Sequence, residues 1–343
     1  MLGTFALSLA MAGQQPMTQP EPANSRAALF PCRMVGDVPS LIIDPDATEK
    51  LSRIGLDRAA IFERMHETSI PETTGCWAMP VGNFDSQLIS VGFAQWNYGT
   101  GSLQPILKQW LGSFRSRRTA KRELKRLAPV YGPLLFSKSC LSVPVKQKCR
   151  DGILAAHGPD GQLNPSIVAE LTTLFESDTM LQVQLDRYLV LLEAVQGDLE
   201  RVFPDHAITM RKVRWAIDTR VQQGNLPQDE DIARLRRKLA AMPESERSSR
   251  LDAIFSWYEA LARSIDQDGI ARDYLWNVEQ WRCLMRSGQI DDEQYELLSI
   301  TFLRSRTATG NAGRWQALTF SRRAKIILDV GSVSGVRDGS CTA

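Results

Sequence analysis

The stretch NFDSQLISVGFAQWNYGTGS, residues 83–102, decides the fold together with the preceding MHETS segment, residues 65–69. The first stretch has many β-branched and aromatic residues and several glycines, so it predicts an irregular hairpin. An amphipathic pattern predicts a helix from caps at Asp44–Asp46 to about His66, with turn formers in residues 69–83 ending it. Its buried side is predicted to comprise Leu51, Ile54, Ala59, Ile61, Phe62 and Met65.

From Ser102 onward the pattern predicts an almost entirely helical chain. Ser102 is predicted to cap one helix, and Asn164-Pro165 to start another because proline suits the first helical turn. Gly224 and Gly288 lie where helices are expected to stop. Further amphipathic helices are predicted over residues 178–202, 207–223, 228–241, 245–265, 270–287 and 291–307. One helix, a hairpin and many helices predict an α+β fold that is predominantly α-helical.

The length and composition allow one large folded domain or two modest ones. The chain has 343 residues, 43% hydrophobic and 23% charged, which is enough for a sizeable core. Residues 1–45 are predicted to form a flexible leader, residues 46–335 are predicted to form the folded domain, and residues 336–343 are predicted to form a tail. The apolar start ends in an A-x-A sequence typical of a signal cleavage site, but no Lys or Arg precedes it. An atypical signal peptide and an unstructured tail both fit. No run is long enough to cross a bilayer, so stable membrane insertion is not expected.

Cysteine and histidine usage argues against a metal site. The six cysteines form no CxxC pair, and the chain has three histidines, so a structural zinc site is not expected. Cys140 and Cys149 flank a short segment that a disulfide would close in an oxidising compartment. The alternative is that all six cysteines are free thiols. No cofactor and no metal ion are expected.

Two acidic residues form the strongest candidate for chemistry. Hydrolysis of a glycosidic bond needs two carboxyl groups, one to protonate the leaving oxygen and one to activate water or attack the sugar. Glu67 lies at the predicted helix end, and Asp85 lies 18 positions later in the hairpin. Glu63 and Glu72 are the nearest competitors of Glu67. The alternative is that Glu67 is an ordinary helix-end carboxylate and that Asp85 caps a turn.

These residues resemble the chitosanases of the lysozyme superfamily, the family-46 glycoside hydrolases. In that family a Glu at a helix end is followed by Asp-x-x-x-x-Thr/Ser-x-Gly in a hairpin and then by a Gly-Thr-Gly turn. The matching residues here are Glu67, Asp85, Ser90, Gly92 and Gly99-Thr100-Gly101. The resemblance implies a lysozyme-like fold with a small β-hairpin lobe and a large helical body. It also implies that Glu67 is the general acid, that Asp85 is the general base, and that Ser90 helps to hold the water, with inversion.

The hairpin is also similar to that of bacterial wall-lytic relatives, which reads roughly NFDGQGLSFGxxQWN. Two further matches to that group are Trp215–Asp218 with Val221–Gly224, and Arg322-Arg323 with Gly331–Gly335. Together the matches span residues 60–335. Two departures stand out. Chitosanases have Arg where this chain has Gln87, and the wall-lytic pattern has Gly where this chain has Leu88.

Polar and aromatic residues of the hairpin are candidate sugar contacts, because aromatic faces flanked by amides suit sugar rings. The alternative for Trp96 is that it packs in the core. Asp218 would either face the substrate-binding cleft or form a buried salt bridge with an arginine. The candidate substrate-binding residues are Gln87, Gln95, Trp96, Asn97, Tyr98, Thr100 and Asp218.

The run FRSRRTAKRELKRL, residues 114–127, is strongly basic with Glu123 as its only acid. It has three interpretations: a solvated helix face, a nucleic-acid patch, or a surface that attracts an anionic polymer. It lacks interleaved aromatic residues, so a nucleic-acid partner is not expected. Because chitosan is a polycation and peptidoglycan is anionic, the run favours the bacterial wall as the partner.

The sequence thus predicts a glycoside hydrolase that cleaves peptidoglycan glycan strands, a muramidase-like enzyme. The alternatives are a chitosanase, a non-catalytic wall-binding protein and, more remotely, a nucleic-acid binder. The expected location is outside the cell or in the bacterial periplasm and wall, as an antibacterial effector or a phage lysis enzyme. An effector would have a cognate immunity protein as a partner.

Overall fold

The structure, a computed structural model, describes residues 32–37, 40–82, 87–159, 161–204, 206–265, 268–308, 313–333 and 335–341. Within these ranges the chain is predominantly α-helical with two small antiparallel sheets, which confirms the predicted α+β class. The elements are α1 Pro45–Ser52, α2 Arg58–Thr73, β1 Ser90–Val91, β2 Trp96–Asn97, α3 Leu103–Gly112, α4 Arg117–Leu127, α5 Gly132–Leu135, α6 Gln147–Leu154, α7 Pro165–Phe175, α8 Asp178–Val202, α9 Met210–Gln223, α10 Asp229–Ala240, α11 Glu244–Arg263, α12 Asp268–Arg286, α13 Asp292–Ser305, α14 Arg314–Leu328, β3 Gly331–Val333 and β4 Val336–Asp338.

The prediction of one opening helix is wrong, because the chain forms two helices there. Gly55 adopts a φ of 77°, the left-handed region that ends helices, and Leu56 N donates to Leu51 O at 3.1 Å. Asp57 then starts α2, since its side chain accepts a hydrogen bond from Ala60 N at 2.8 Å. Of the predicted buried side chains, only that of Ala59 is exposed.

Helix α2 also runs past the predicted end near His66. It continues through Pro71 to Thr73, where Thr74 adopts the left-handed conformation that terminates it. The Thr73 hydroxyl is buried and lies within hydrogen-bond distance of two carbonyl oxygens, Cys76 O at 2.7 Å and Ser69 O at 3.0 Å. Burial of this last turn therefore outweighs the one backbone hydrogen bond that proline removes.

The hairpin prediction is confirmed. Strands β1 and β2 pair antiparallel, with Ser90 opposite Asn97 and Val91 opposite Trp96. Val81 bridges to Ser90 on the other side through two backbone hydrogen bonds of 2.8 and 3.1 Å. Residues 83–86, and with them Asp85, lie outside the described residues.

Helices α8–α13 match the predicted ranges closely, and Gly224 caps α9 with a φ of 77°. Ser102 occupies the N-cap position of α3 as predicted, but its side chain makes no capping hydrogen bond. Its hydroxyl instead accepts a hydrogen bond from Asn97 N at 2.9 Å, because the hairpin folds back onto the helix start. Pro165 occupies the first turn of α7 as predicted.

Two hydrophobic clusters fill the interior and meet at α8. One comprises α3–α7 and most of the hairpin, and the other comprises α1, α2, α9–α14 and Phe93 of the hairpin. Met180 and Val183 on α8 belong to the first cluster, whereas Leu181 and Leu185 belong to the second. The 25-residue helix α8 therefore forms part of both cores. No helix among the described residues is long and apolar enough to cross a membrane.

Both ends of the described chain pack into the fold, contrary to the predicted leader and tail. Cys32 forms a disulfide with Cys76, and Val35, Leu41 and Ile43 are buried. Residues 1–31 of the predicted leader lie outside the described residues.

At the other end, β4 pairs with β3 and Cys341 forms a disulfide with Cys283, so residues 336–341 belong to the body. The predicted disulfide between Cys140 and Cys149 is confirmed, and the free-thiol alternative is wrong. The other two disulfides join residues 44 and 58 positions apart, a distance at which local spacing gives no signal.

Candidate active site

A cavity of about 440 Å³ opens between α2, α9, α14 and the β3–β4 hairpin. Its volume lies in the range of small-molecule sites. Two of the predicted site residues, Glu67 and Asp218, contribute to its lining. The lining residues are Arg64, Glu67, Thr68, Ile70, Pro71, Arg214, Ile217, Asp218, Val221, Arg322, Lys325, Ile326, Val333 and Asp338.

The Glu67 carboxyl is held at this cavity by two arginines. Its Oε2 lies 2.7 Å from Arg64 Nη1, one helical turn earlier on α2, and 3.3 Å from Arg214 Nε on α9. The Glu67 side chain is 37% exposed, whereas the Arg64 side chain is 5% exposed. The carboxyl is therefore fixed from its buried side and open to solvent on the other, as a group that meets a ligand must be.

Pro71 lies four residues after Glu67 and lines the same cavity. Proline has no N–H, so the Glu67 carbonyl loses its normal intrahelical donor, and the proline ring crowds that carbonyl. The regular hydrogen bonding of α2 is thus interrupted at Glu67. The sequence-based expectation that the helix ends here is wrong, but the helix does carry a local defect at this residue.

An ion-pair network forms the buried side of the cavity. Asp218 Oδ1 lies 2.7 Å from Arg322 Nη2, and Asp218 Oδ2 lies 3.3 Å from Arg323 Nε. Arg322 also reaches Glu72 on α2, with Nη1 2.7 Å from Oε1. All four side chains are 11% exposed or less. The network therefore ties α2, α9 and α14 together behind the cavity.

The two arginines of the network differ in electrostatic balance. Burial lowers the pKa of Arg322, but the charges and hydrogen bonds of Asp218 and Glu72 outweigh it and raise the pKa above the ordinary arginine value. Burial lowers the pKa of Arg323 to about 10, because its contact with Asp218 is opposed by the nearby cations Arg322 and Arg304. The four side chains are formally neutral together, but Arg322 contacts both carboxylates whereas Arg323 contacts Asp218 alone, at 3.3 Å.

Asp218 forms the buried ion pair that was one of its two predicted roles. Both carboxylate oxygens contact arginines, although the residue lines the cavity. The competitor Glu72 falls within residues 69–83, whose turn formers were predicted to end the helix. It lies instead on α2, where Gln222 Nε2 also donates to its Oε1 at 2.6 Å. Glu63 contacts Arg64 at 2.6 Å but is 65% exposed and does not line the cavity.

Tyr98 does not contact substrate as predicted, because it belongs to the core. Its side chain is 1% exposed, and its hydroxyl donates to Leu135 O at 2.9 Å. Burial raises the pKa of the Tyr98 phenol well above the ordinary tyrosine value. Ser90 is also buried, with 4% exposure, in the strand that pairs with Val81 and Asn97.

The other predicted hairpin residues make contacts within the hairpin and are not among the residues that line the Glu67 cavity. Gln95 Nε2 donates to Met79 O at 3.0 Å, and Asn97 Oδ1 accepts from both N and Oγ1 of Thr100 at 2.8 Å. Trp96 stands edge-on to Phe93 at 5.1 Å. Gln87 accepts a backbone hydrogen bond from Gly99 at 3.1 Å. These contacts join the hairpin residues to one another and to Met79, and Thr100 is exposed.

At Leu88 the chain departs from the wall-lytic pattern in residue type but keeps a backbone conformation that suits the glycine of that pattern. Leu88 adopts a φ of 72°, the left-handed region that favours glycine, and its side chain is 1% exposed in the hairpin core. The backbone therefore has the conformation that a glycine would adopt here. Packing of the leucine side chain offsets a conformational cost of about 1–2 kcal/mol.

A chain of contacts joins the hairpin to the residue after Glu67. Phe93 stacks edge-on against Tyr188 at 5.4 Å, and the Tyr188 hydroxyl lies 3.1 Å from Thr68 Oγ1. Burial and the Glu67 charge raise the pKa of Tyr188, whereas the Thr68 hydrogen bond and Arg64 oppose the rise. Sequence reasoning missed Arg64, Arg214 and Tyr188. The only local signal was the i, i+3 spacing of Arg64 and Glu67.

Comparison of the chain with protein-family models, with curated proteins and with solved structures found no match. Among the described residues, no group of three or more His, Cys, Asp or Glu is arranged to hold a metal ion.

Proposed function

We propose that this chain is a glycoside hydrolase of lysozyme-like fold that cleaves the glycan strand of bacterial peptidoglycan, as a muramidase. One observation carries the proposal: the Glu67 carboxyl, held by Arg64 and Arg214, opens onto a cavity of about 440 Å³ beside a helix defect. A fixed, half-open carboxyl at such a cavity suits acid–base catalysis. The two hydrophobic clusters that meet at α8, one of which contains most of the hairpin, support the fold assignment.

In the proposed mechanism the Glu67 carboxylate takes up a proton from solvent when the sugar displaces Arg214, and it then donates this proton to the leaving oxygen of the glycosidic bond. The sequence resemblance assigns Asp85 as the base toward the attacking water and Ser90 as a residue that holds this water. Ser90 itself is buried in β1 and is not among the residues that line the Glu67 cavity. Arg214 is the more exposed of the two arginines, at 30%, and its Nη1 also lies 3.1 Å from Asp329. A sugar entering the cavity therefore displaces Arg214 toward Asp329 and frees one side of the Glu67 carboxyl.

Peptidoglycan suits this chain better than chitosan. The basic run of residues 114–127 would repel the ammonium groups of chitosan and attract an anionic wall polymer. Gln87 replaces the arginine that chitosanases have at this position of the hairpin. The three disulfides support an oxidising location, such as the periplasm or the extracellular space. An enzyme delivered there against rival bacteria would be matched by an immunity protein in its producer.

The test is digestion of purified sacculi followed by mass spectrometry of the products. Glu67→Gln removes the acid, and we expect the rate to fall by about 10²–10⁴-fold. The matched control is Glu63→Gln, the same change one turn away on a side chain that also contacts Arg64 but is 65% exposed. We expect the control to retain activity within about twofold, because a solvent-exposed ion pair contributes little. Wild-type rates in Glu67→Gln would remove the mechanism.

Two further measurements separate the alternatives. A non-catalytic wall-binding protein would sediment with sacculi and release no reducing sugar, and a chitosanase would digest chitosan in preference. NMR of the first anomer formed reports the stereochemistry. We expect inversion, for which carboxyl groups about 6.5–9.5 Å apart are typical, and loss of activity in Asp85→Asn.

A further inference from the structure

Helix α4 concentrates the positive charge of the chain. Residues 114–127 contain seven Lys or Arg and one acid, Glu123, so this segment has a formal charge of +6. The whole chain has a charge of +2, which leaves −4 for all other residues. The cationic character of the protein is therefore local to one segment.

The fold turns this charge to solvent. Ala120, Leu124 and Leu127 form the buried stripe of α4, which packs against α5 and α7. On the other side, residues 117, 121 and 125 follow one another at four-residue spacing over about 12 Å. All seven cations are exposed, and we call them the α4 basic face: Arg115, Arg117, Arg118, Lys121, Arg122, Lys125 and Arg126.

The α4 basic face is poorly neutralised by the protein. Arg126 pairs with Glu123. Within the part of the chain that the structure describes, the other six cations have no carboxylate within ion-pair distance. Like charges four residues apart destabilise a helix, and Arg117 and Arg118 also lie in the first turn, at the positive end of the helix dipole. A polyanion bound to this face would relieve both repulsions.

We propose that the α4 basic face binds the stem-peptide carboxylates of peptidoglycan and thereby docks the enzyme on the sacculus. The inference rests on the proposed function for the location of the chain at the wall. Phe114, the aromatic residue of the segment, is half-buried and packs on Trp110 at 4.8 Å, so no stacking platform for nucleotide bases lies on the face. The exposed side of α4 has no large apolar side chain to enter a lipid bilayer.

The experiment measures sedimentation of the full chain with purified sacculi in a Glu67→Gln background, so that binding is not followed by digestion. The test variant carries Arg117→Glu, Lys121→Glu and Lys125→Glu. The matched control carries Arg53→Glu, Arg237→Glu and Lys238→Glu, three exposed cations outside α4, and has the same net charge. Equal melting temperatures of the two variants show that both are folded.

We expect the sacculus concentration for half-maximal binding to rise at least tenfold in the α4 variant and less than twofold in the control. Raising the salt from about 0.05 to 0.5 M should release the parent protein, because the screening length shortens several-fold. Sacculi whose carboxylates are amidated should bind the parent as weakly as intact sacculi bind the α4 variant. The proposal would be overturned if the control variant lost as much affinity for sacculi as the α4 variant, or if the parent bound amidated sacculi as tightly as intact ones. Tighter retention of the parent on duplex DNA than on sacculi would also overturn it.

The readouts separate this proposal from the proposed function. Release of sugar by the wild-type chain tests catalysis alone. If the wild-type chain releases sugar but the α4 variant binds sacculi normally, the proposed docking surface is wrong and the proposed hydrolase function is supported. If binding to sacculi depends on α4 but the wild-type chain releases no sugar, the proposed hydrolase function is wrong and the proposed docking surface is supported.

Discussion

Asp218→Asn is the perturbation that most directly probes what holds the cavity together. Asp218 on α9 faces Arg322 and Arg323 on α14, and Arg322 in turn holds Glu72 on α2. The change keeps the shape of the side chain but removes one negative charge. It leaves two buried guanidiniums with Glu72 as their one remaining carboxylate in this network.

The expected cost follows from the burial of these groups. Asp218, Arg322 and Arg323 are 7%, 6% and 0% exposed, so solvent screens the lost charge very little. Removing one partner of a buried ion pair costs about 3–5 kcal/mol. An unfolding entropy of about 2.1 cal/mol/K per residue gives roughly 0.7 kcal/mol/K for this chain, so the melting temperature should fall by about 4–7 °C.

Thermal and urea unfolding measure the effect against a matched control. Asp329→Asn is the same chemical change at a residue that also contacts an arginine, with Oδ1 3.1 Å from Arg214 Nη1 but 59% exposed. Asp329 has a φ of 54°, a conformation that Asn tolerates, so the control adds no backbone strain. An exposed pair of this kind contributes about 0–1 kcal/mol.

The reasoning is refuted if the two variants lose free energies of unfolding within about 1 kcal/mol of each other, because burial is what distinguishes the two sites. If the proposed function holds, Asp218→Asn should also lower the rate of sacculus digestion while the enzyme is still folded. The network joins the three helices that line the cavity, so its loss shifts Glu67 relative to α9 and α14.

Two further predictions concern the core and the disulfides. Tyr98→Phe should cost about 1–3 kcal/mol in urea unfolding, because Leu135 O loses its buried donor, and should leave the digestion rate unchanged; a large loss of activity with normal stability would restore Tyr98 as a substrate contact. Replacing the Cys283–Cys341 pair by serines should destabilise the chain more than replacing Cys140–Cys149, since loop entropies for separations of 58 and 9 residues give about 4.2 and 2.6 kcal/mol. The opposite order in thermal unfolding would show that loop length does not govern these disulfides.

Local sequence patterns were sufficient to predict those elements whose structure depends on residues close together in the chain. The ranges of α8–α13, the hairpin around residues 90–97 and the Cys140–Cys149 disulfide all follow from short-range periodicity and spacing. The division of the opening helix at Gly55 was not predicted, because one glycine within an apolar periodic pattern gives only a weak signal of a helix end.

The amino-acid sequence by itself determined the helical class, the hairpin and the basic segment of residues 114–127, because each depends on neighbours along the chain. It also supplied the prediction that Glu67 is the candidate acid. Only the tertiary structure decided what surrounds those residues. It brought Arg214 to Glu67 across 147 positions and Arg322 to Glu72 across 250, and it buried Tyr98. Ion pairs and burial depend on which helix faces pack together, and that is fixed by the whole core.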